Sequence, residues 1–317
     1  MLFRNTVLRG LSLVKPPRVT TSEEIELRLA PVYERLKLSV GRLELMTGIR
    51  ERRFWETGTR SSAVAAEAGR LALADSGVDK NRIGCLIHAS VCRDYLEPAT
   101  ASLVHERLAL PEGAAIFDLS NACLGVLNAM TQAAAMIDAG QIEAALIVSG
   151  EVAESLHEST LHSILTHRHL TRAQLKNQFA SLTIGSAATA VVLARADLDG
   201  QPGHRLIGGA VGTDSSANHL CQADPEEATR LGPLMKTDSE GLLHAGCALA
   251  ARVWEKTKTV LGWTNASPDR IFTHQVGRAH SRLTLDTLGL PEERDFPTVS
   301  FMGNTGSSAL PGALYLG

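Results

Sequence analysis

The stretch Phe117-Asp118-Leu119-Ser120-Asn121-Ala122-Cys123-Leu124-Gly125 joins a short apolar strand pattern to a long helix pattern rich in alanine. A cysteine at the start of a helix lies near unpaired backbone N–H groups and the positive end of the helix dipole, and both lower a thiol pKa. The pattern therefore predicts Cys123 as a catalytic nucleophile. A small buried cysteine is the common alternative, and Cys85 and Cys247, which stand in apolar segments, fit that alternative better.

The composition excludes several classes of protein. The chain has 317 residues, 44% of them hydrophobic, which is enough to bury a large core. Its formal net charge of -3 gives no electrostatic reason to bind nucleic acid or an anionic membrane surface. The five cysteines lack the close pairing of zinc sites and disulfide frameworks, so we expect reduced thiols, no metal and a cytoplasmic location. No segment approaches the roughly 18 apolar residues of a membrane span.

Strand and helix patterns alternate through the first half of the chain, which is typical of α/β proteins. The predicted helices are residues 61–76, 100–108 and 124–139, and the predicted strands are residues 83–91, 115–119 and 144–149. The strand at 115–119 leads directly into the Cys123 segment.

The second half repeats this plan. A helix pattern near residues 241–261 is followed by Asp269-Arg270-Ile271 and a predicted strand at 271–274, much as the first-half helix is followed by an Arg-Ile step and its strand. Further on, Val299–Gly306 occupies the place that Asp118–Gly125 holds in the first half, with a predicted strand, a tight turn and a helix rich in small residues. The two corners, one at Cys123 and one at Asn304, are thus predicted to be equivalent.

These patterns predict two similar halves, residues 1–195 and 196–317, with an active site where the corners meet. A polar, helix-capable insertion at about 153–179 separates them and is predicted to cover the site or to contact a partner subunit. The spacing of its histidines suits no common metal motif. Those histidines are His157, His162, His167 and His169.

Two residues of the second half are candidate partners of the thiol. His274 follows an apolar strand pattern directly, and Asn304 stands between glycines in Gly303-Asn304-Thr305-Gly306. A lone histidine is more often structural, and Asn beside Gly is common turn chemistry. Their placement at repeat-equivalent positions favours a catalytic role, because neutral His and Asn donors can stabilise the oxyanion of a thioester enolate.

Taken together, Asn121-Ala122-Cys123, Thr273-His274-Gln275-Val276 and the Asn304 turn, with Thr47–Arg53 near the start, resemble the ketoacyl synthase III branch of the thiolase superfamily. The resemblance runs to about residue 316 and implies a duplicated five-layered αβαβα fold carrying the helical insertion. Residues 90–102 are most similar to OleA-type enzymes of bacterial long-chain olefin synthesis. Those enzymes join two fatty acyl-CoA molecules, without decarboxylation, into a long-chain β-keto acid.

Glu97 distinguishes this condensation from the related decarboxylative condensations. In the OleA-type family the matching glutamate is the base and reaches across a homodimer interface into the partner's active site. A loop carboxylate is usually only solvated, which is the alternative for Glu97. A decarboxylative synthase needs no carboxylate base, whereas removal of an α-proton from an acyl thioester does need a base.

The resemblance implies acyl transfer to Cys123, proton removal by Glu97, and stabilisation of the enolate by His274 and Asn304. No cofactor is expected beyond coenzyme A thioesters as substrates. By the same resemblance Arg50, Arg52 and Arg53 are predicted to lie near the CoA entrance, where cations meet phosphates; a solvated charged turn is the alternative. These residues follow Thr47-Gly48-Ile49.

Three functions remain open from the sequence. The first is the Claisen condensing enzyme, the second a malonyl-dependent ketoacyl synthase or another thioester acyltransferase, and the third a catalytically silent dimer partner. Relatives continue beyond the position of Gly317, so we expect the last strands of the second half to be absent from this chain. The acyl chain length, and whether CoA or an acyl carrier protein delivers it, cannot be read from the sequence.

Overall fold

The computed structural model describes residues 1–317, except for the side chains of residues 224–229. Its strands are β1 (Thr6–Val14), β2 (Arg18–Thr21), β3 (Glu51–Phe54), β4 (Ile83–His88), β5 (Ala115–Asp118), β6 (Ala144–Glu151), β7 (Ala187–Arg195), β8 (His204–Arg205), β9 (Cys221–Thr229) and β10 (Gly232–Thr237). Its α-helices are α1 (Ser22–Arg28), α2 (Ala30–Arg35), α3 (Arg42–Thr47), α4 (Ser61–Ser76), α5 (Thr100–Leu108), α6 (Gly125–Asp138), α7 (Glu154–Thr166), α8 (Arg172–Leu182), α9 (Ser239–Leu261), α10 (Arg278–Leu288), α11 (Val299–Met302) and α12 (Ala309–Leu316).

A six-stranded mixed sheet with the order β5-β4-β6-β7-β1-β8 forms the centre of the molecule. Strands β4, β5 and β6 are parallel, and β7 runs antiparallel to both β6 and β1. Because parallel strands end at the same edge of a sheet, β4, β5 and β6 deliver the residues that follow them to one edge. The α/β class predicted from the alternating patterns is confirmed.

Helices cover both faces of the sheet. Side chains alternate along each strand, so Leu146 and Val148 pack with α4 and α5, whereas Ala145 and Ile147 pack with α6. Burial of all eight residues of β6 follows from this double cover. The C-terminal helix α12 packs on β1 and β7.

The first-half predictions agree closely with the structure. The predicted helices at 61–76, 100–108 and 124–139 correspond to α4, α5 and α6, and the predicted strands correspond to β4, β5 and β6. Asp118 at the end of β5 accepts hydrogen bonds from the backbone N–H groups of Thr100 and Ala101, both at 2.8 Å. A carboxylate at the start of α5 satisfies helix N–H groups that have no partner within the helix.

The predicted insertion at 153–179 is helical and contains α7 and most of α8. It packs against α1, α2 and α3 through a separate apolar cluster that includes Ile25, Tyr33, Leu161 and Phe179. The β9–β10 hairpin lies against α7 and α8.

The second half differs from its prediction in two places. Of the predicted strand 271–274, only Ile271 makes a bridge, to Asp295, and residues 272–275 form no ladder. The strand predicted at Val299 is wrong, because Val299–Met302 forms the short helix α11. The side-chain oxygen of Gln275 accepts the backbone N–H groups of Thr298 and Val299, at 2.7 and 2.9 Å, which favours a helix start there.

Outside the central sheet, strands in the described part of the chain form two pairs, β2–β3 and β9–β10. The boundary predicted at residue 195 coincides with the end of β7, although β8, just beyond it, still pairs with β1. Division of the chain into halves at this position stays a prediction. Among the described residues, no helix combines the length and the apolar character needed to cross a bilayer.

Candidate active site

The carboxyl ends of β4, β5 and β6 bring three segments together with a fourth from the second half. The segment after β4 carries Cys92 and Glu97, the segment after β5 carries Cys123, and β6 ends at Glu151. The turn around Asn304 lies against the Cys123 segment, because Ser307 Oγ donates a hydrogen bond to the backbone oxygen of Ala122 at 2.5 Å. The predicted meeting of the two corners is therefore present in the structure.

Cys123 sits in a 3-10 turn, Ala122–Leu124, that leads into α6. The preceding residue, Ala122, has φ of 44°, a left-handed backbone conformation that costs a non-glycine residue about 1 kcal/mol. Gly125 allows the Ser307 side chain to approach, since a Cβ there would lie 2.8 Å from Ser307 Oγ. The turn places the thiol at the beginning of a helix, as predicted.

The predicted lowering of the Cys123 pKa is not what the structure shows. Burial, with smaller contributions from the Glu151 carboxylate and the Cys221 thiol, raises the pKa of this thiol to about 12. Proximity to a helix start cannot outweigh desolvation of the thiolate next to a carboxylate. In the ligand-free protein Cys123 is therefore a protonated thiol.

Glu151 is a central residue that the sequence analysis missed. Only 3% of it is exposed, yet its carboxylate accepts three backbone N–H groups: Val91 at 3.0 Å, Cys92 at 3.3 Å and Ser307 at 3.1 Å. Burial raises the pKa of Glu151 above its ordinary value, and these hydrogen bonds offset the rise only in part. One signal was available in the sequence, namely a glutamate that closes the otherwise uncharged strand Ala144–Glu151.

Asn304 is fixed by its backbone to the segment after α8. Its N–H donates to the Thr183 oxygen and its oxygen accepts the Gly185 N–H, both at 2.9 Å. Its side-chain oxygen accepts the Gly306 N–H at 3.1 Å. Because the amide oxygen is occupied in this way, the amide NH₂ is the group left to donate to a ligand.

Both ring nitrogens of the partly buried His274 are shielded from solvent, and neither has a hydrogen-bond partner among the described residues. Burial, with a smaller contribution from the neighbouring His280, lowers the pKa of His274 to about 4. The imidazole is therefore neutral at neutral pH. Gln275 ties this segment to α11, and α11 leads to Asn304. The structure thus joins His274 to the Asn304 turn through the chain, while no hydrogen bond links it to Cys123.

Glu97 lies in the segment between β4 and α5 and is exposed. The preceding Leu96 is 87% exposed, so the tip of this loop projects from the protomer. The base of the loop is fixed, since Asp94 accepts hydrogen bonds from the N–H and the hydroxyl of Ser62 at 3.1 and 2.6 Å. Within one protomer Glu97 is not part of the cluster around Cys123.

The three predicted CoA-binding arginines have different environments. Arg50 is exposed and lies 3.7 Å from Glu51, and Arg53 donates to the Pro16 oxygen at 3.2 Å. Arg52 has no exposure at all; it packs against Gly303 and donates to Ser22 Oγ at 3.0 Å. Burial lowers the pKa of Arg52 to about 10. A phosphate in solvent can thus reach Arg50 in this structure but not Arg52, and a CoA-binding role for all three stays a prediction.

Among the described residues, no group of three or more His, Cys, Asp or Glu side chains is arranged to hold a metal ion.

Comparison with known proteins places these residues in context. The family described as 3-oxoacyl-[acyl-carrier-protein] synthase III matches residues 117–215. The chain is 36% identical over 311 residues to an acyl-CoA:acyl-CoA alkyltransferase of Xanthomonas campestris pv. campestris, with 98% of this chain and 89% of the relative covered. A similarly named protein of Shewanella oneidensis is 35% identical over 98% of this chain and 90% of its own length. A β-ketoacyl-[acyl-carrier-protein] synthase III of Neisseria meningitidis is more distant, at 29% identity over 86% of this chain and 79% of its own.

Solved structures agree with the sequence comparison. The cerulenin-bound crystal structure of Xanthomonas campestris OleA aligns with a TM-score of 0.92 at 36% identity and covers 99% of this chain and 89% of that one. Other crystal structures of the same protein carry a substituted cysteine, glutamate or histidine. The substituted glutamate and cysteine are separated there by the same number of positions as Glu97 and Cys123 here. This chain has the same thiolase-like fold.

Proposed function

The chain belongs to the family of acyl-CoA:acyl-CoA alkyltransferases, and from this premise we propose that it joins two fatty acyl-CoA molecules by a non-decarboxylative Claisen condensation. The product is a long-chain β-keto acid. The observation that carries the proposal is the meeting of the Cys123 corner with the Asn304 turn. Gln275 ties the neighbouring His274 segment to α11, and the ring nitrogens of His274 have no hydrogen-bond partner among the described residues.

The reaction begins at Cys123. Its sulfur attacks the carbonyl carbon of the first acyl-CoA, loses its proton, and releases CoA as a thiol, which leaves an acyl group on Cys123. Backbone N–H groups at the start of α6 stabilise the oxyanion of this step. The raised pKa of Cys123 means that the proton leaves in the course of the attack rather than before it.

Carbon–carbon bond formation follows. Glu97 removes an α-proton from the second acyl-CoA, and the enolate oxygen accepts hydrogen bonds from His274 and from the amide NH₂ of Asn304. Neutral donors suit this role, because the charge on the oxygen develops only during the reaction. The α-carbon attacks the Cys123 thioester, the thiolate leaves, and water cleaves the remaining CoA thioester to give the β-keto acid and a second CoA.

Homodimer formation completes the proposal, with Glu97 acting in the partner's site. Three observations support it: β5 is an edge strand with exposed side chains, the Glu97 loop projects from the protomer, and Glu97 is apart from its own Cys123 cluster. An exposed strand edge is a ready template for pairing with a second copy. We place the reaction in the cytoplasm, since all five cysteines are free thiols.

Incubation of the purified protein with long-chain acyl-CoA alone tests the reaction. Mass spectrometry should detect the β-keto acid, with two CoA thiols released for each product molecule. If product forms only when a malonyl thioester is added, the protein is a decarboxylative synthase, the activity suggested by the family description that matches residues 117–215. If neither condition gives product, the protein is either another thioester acyltransferase or a catalytically silent dimer partner.

Mixing two inactive variants tests the placement of Glu97. Neither Cys123→Ala nor Glu97→Ala should act alone, but a mixed dimer contains one site with both intact residues. Random re-pairing of equal amounts should restore about a quarter of the wild-type rate, because half of the dimers are mixed and each has one complete site. If Glu97 served its own protomer, mixing would restore nothing.

A further inference from the structure

Glu151 is the most deeply buried carboxylate of the site, and the proposed reaction does not use it. Its three N–H donors come from two separate segments: Val91 and Cys92 precede the Glu97 loop, and Ser307 belongs to the Asn304 turn. The Cys123 segment is connected to Glu151 indirectly, because Ser307 also donates a hydrogen bond to the backbone oxygen of Ala122, next to Cys123. One side chain therefore connects, directly or through Ser307, the segments that carry Glu97, Cys123 and Asn304.

Both oxygens of the Glu151 carboxylate accept backbone hydrogen bonds. Oε1 accepts Val91 and Ser307, and Oε2 accepts Cys92. Gly306 lies against the same carboxylate, since a Cβ at that position would be 3.0 Å from Oε1. A group enclosed in this way cannot reach a substrate α-carbon, which argues against a role as the proton-abstracting base.

Electrostatics give Glu151 a second effect. Cys92 and Cys123 both feel its negative charge, and the pKa of each thiol is raised, mainly by burial and then by Glu151. The other titratable group acting on Cys123 is the Cys221 thiol. A like charge beside a thiol disfavours the thiolate, so an ionised Glu151 adds to the effect of burial in keeping Cys123 protonated.

We propose that Glu151 is a positioning residue, which holds the Glu97 loop, the Cys123 corner and the Asn304 turn in one arrangement and restrains the reactivity of the resting thiol. The positioning role rests on the proposed function, whereas the effect on the thiol does not. Positioning matters because small displacements of reacting groups cost large factors in rate.

Two substitutions separate the two effects. Glu151→Gln keeps the length of the side chain and removes its charge. Its NH₂ group then takes the place of one carboxylate oxygen and faces a backbone N–H donor. Glu151→Asp keeps the charge and shortens the reach. The matched control is Glu26→Gln, because Glu26 is also fully buried and accepts Tyr33 OH and the N–H groups of Gly41 and Leu43. It accepts no hydrogen bond from the Glu97 loop, the Cys123 corner or the described Asn304 turn.

The first measurement is the pH dependence of Cys123 alkylation by iodoacetamide, followed on the Cys123 peptide by mass spectrometry. Glu151→Gln should move the midpoint to lower pH by about one unit, and Glu151→Asp and Glu26→Gln should leave it near the wild-type value. This measurement needs no substrate and stands even if the condensation proposal fails. A folded Glu151→Gln variant with an unshifted midpoint would overturn the effect on the thiol.

The second measurement is kcat for condensation of acyl-CoA. Both Glu151 variants should lose at least about tenfold in kcat, with KM changed less, because the substrate-binding groups remain. Wild-type kcat in Glu151→Asp would overturn the positioning role, and this variant decides the matter if Glu151→Gln does not fold. If wild type itself forms no product, the proposed function has failed, and only the alkylation result bears on Glu151.

Discussion

At the Cys123 corner, a 3-10 turn of three residues, Ala122–Leu124, leads into α6; at the Asn304 turn, a 3-10 turn of three residues, Gly306–Ser308, leads into α12. Both turns open on a residue with positive φ, 44° at Ala122 and 56° at Gly306. Their chemistry is different. The first turn follows strand β5 and carries the Cys123 thiol, whereas the second follows the short helix α11 and has the Asn304 amide two residues before it.

The difference shows how a repeated backbone can serve one reaction. The 3-10 turn at each corner leads into a helix, and the Ser307–Ala122 hydrogen bond joins the two turns. The first corner supplies the nucleophile and the second supplies hydrogen-bond donors, so neither half could carry out the proposed reaction alone. Substitutions that disturb one corner at a time can test this division of roles.

Replacement of the nucleophile should have the largest effect. We expect Cys123→Ala to lower kcat by at least about 10³-fold, because the covalent intermediate cannot form. Mass spectrometry of the intact protein after incubation with acyl-CoA should show the acyl adduct on wild type and none on the variant. Cys247→Ala, at a buried cysteine outside the site, is the control and should keep the adduct. Undiminished turnover in Cys123→Ala would refute the role of the first corner.

Loss of the donor at the second corner should cost about 10²- to 10³-fold in kcat, the usual effect of removing one oxyanion donor. Asn304→Asp is the most informative variant. Its carboxylate can still accept the Gly306 N–H, whereas the amide NH₂ that would donate to the substrate is removed. Its acyl adduct on Cys123 should still form, because transfer to the thiol precedes enolate formation. Equal loss of adduct and product would show instead that the whole site had collapsed.

The His274 segment predicts a pH dependence of stability. The pKa of His274 is about 4 in the folded protein against an ordinary 6.5, so from pH 6.5 down to about 4 only the unfolded chain binds this proton. Stability should therefore fall as the pH falls through that window, by up to about 3 kcal/mol from this residue. His274→Asn should flatten the pH dependence of the unfolding free energy, measured by urea titration. Other buried histidines, including His280, titrate in the same direction, so the difference between wild type and variant is the informative quantity.

Substitution of the two positive-φ residues, one at a time, should have the smallest effect. The two substitutions should change the stability of the fold in opposite directions. Gly306→Ala adds a Cβ at 3.0 Å from Glu151 Oε1 as well as backbone strain, and should destabilise the fold by about 2 kcal/mol. Ala122→Gly relieves strain and should stabilise it by up to about 1 kcal/mol. Thermal unfolding of both variants measures this, and destabilisation by Ala122→Gly would contradict the equivalence of the two turns.

Much of this molecule could be predicted from the sequence. The alternation of strand and helix patterns predicted α4, β4, α5, β5, α6 and β6 within a few residues, because each pattern is set by neighbours along the chain. The same local signals marked Cys123 at a helix start and Asn304 in a glycine-flanked turn. The second half was predicted less well, since Val299 lies in a helix whose first N–H groups are bound by the distant Gln275.

Only the tertiary structure decided the properties of these groups. The sequence predicted a lowered pKa for Cys123 from the helix start, whereas burial and the Glu151 carboxylate raise it. Glu151 itself was missed, because its partners Val91 and Ser307 stand far from it in the chain, Ser307 by 156 positions. Local pattern determines where a strand ends and a helix begins; desolvation and charge depend on which distant segments pack there, and these effects vary too steeply with distance and burial to be read from a linear sequence.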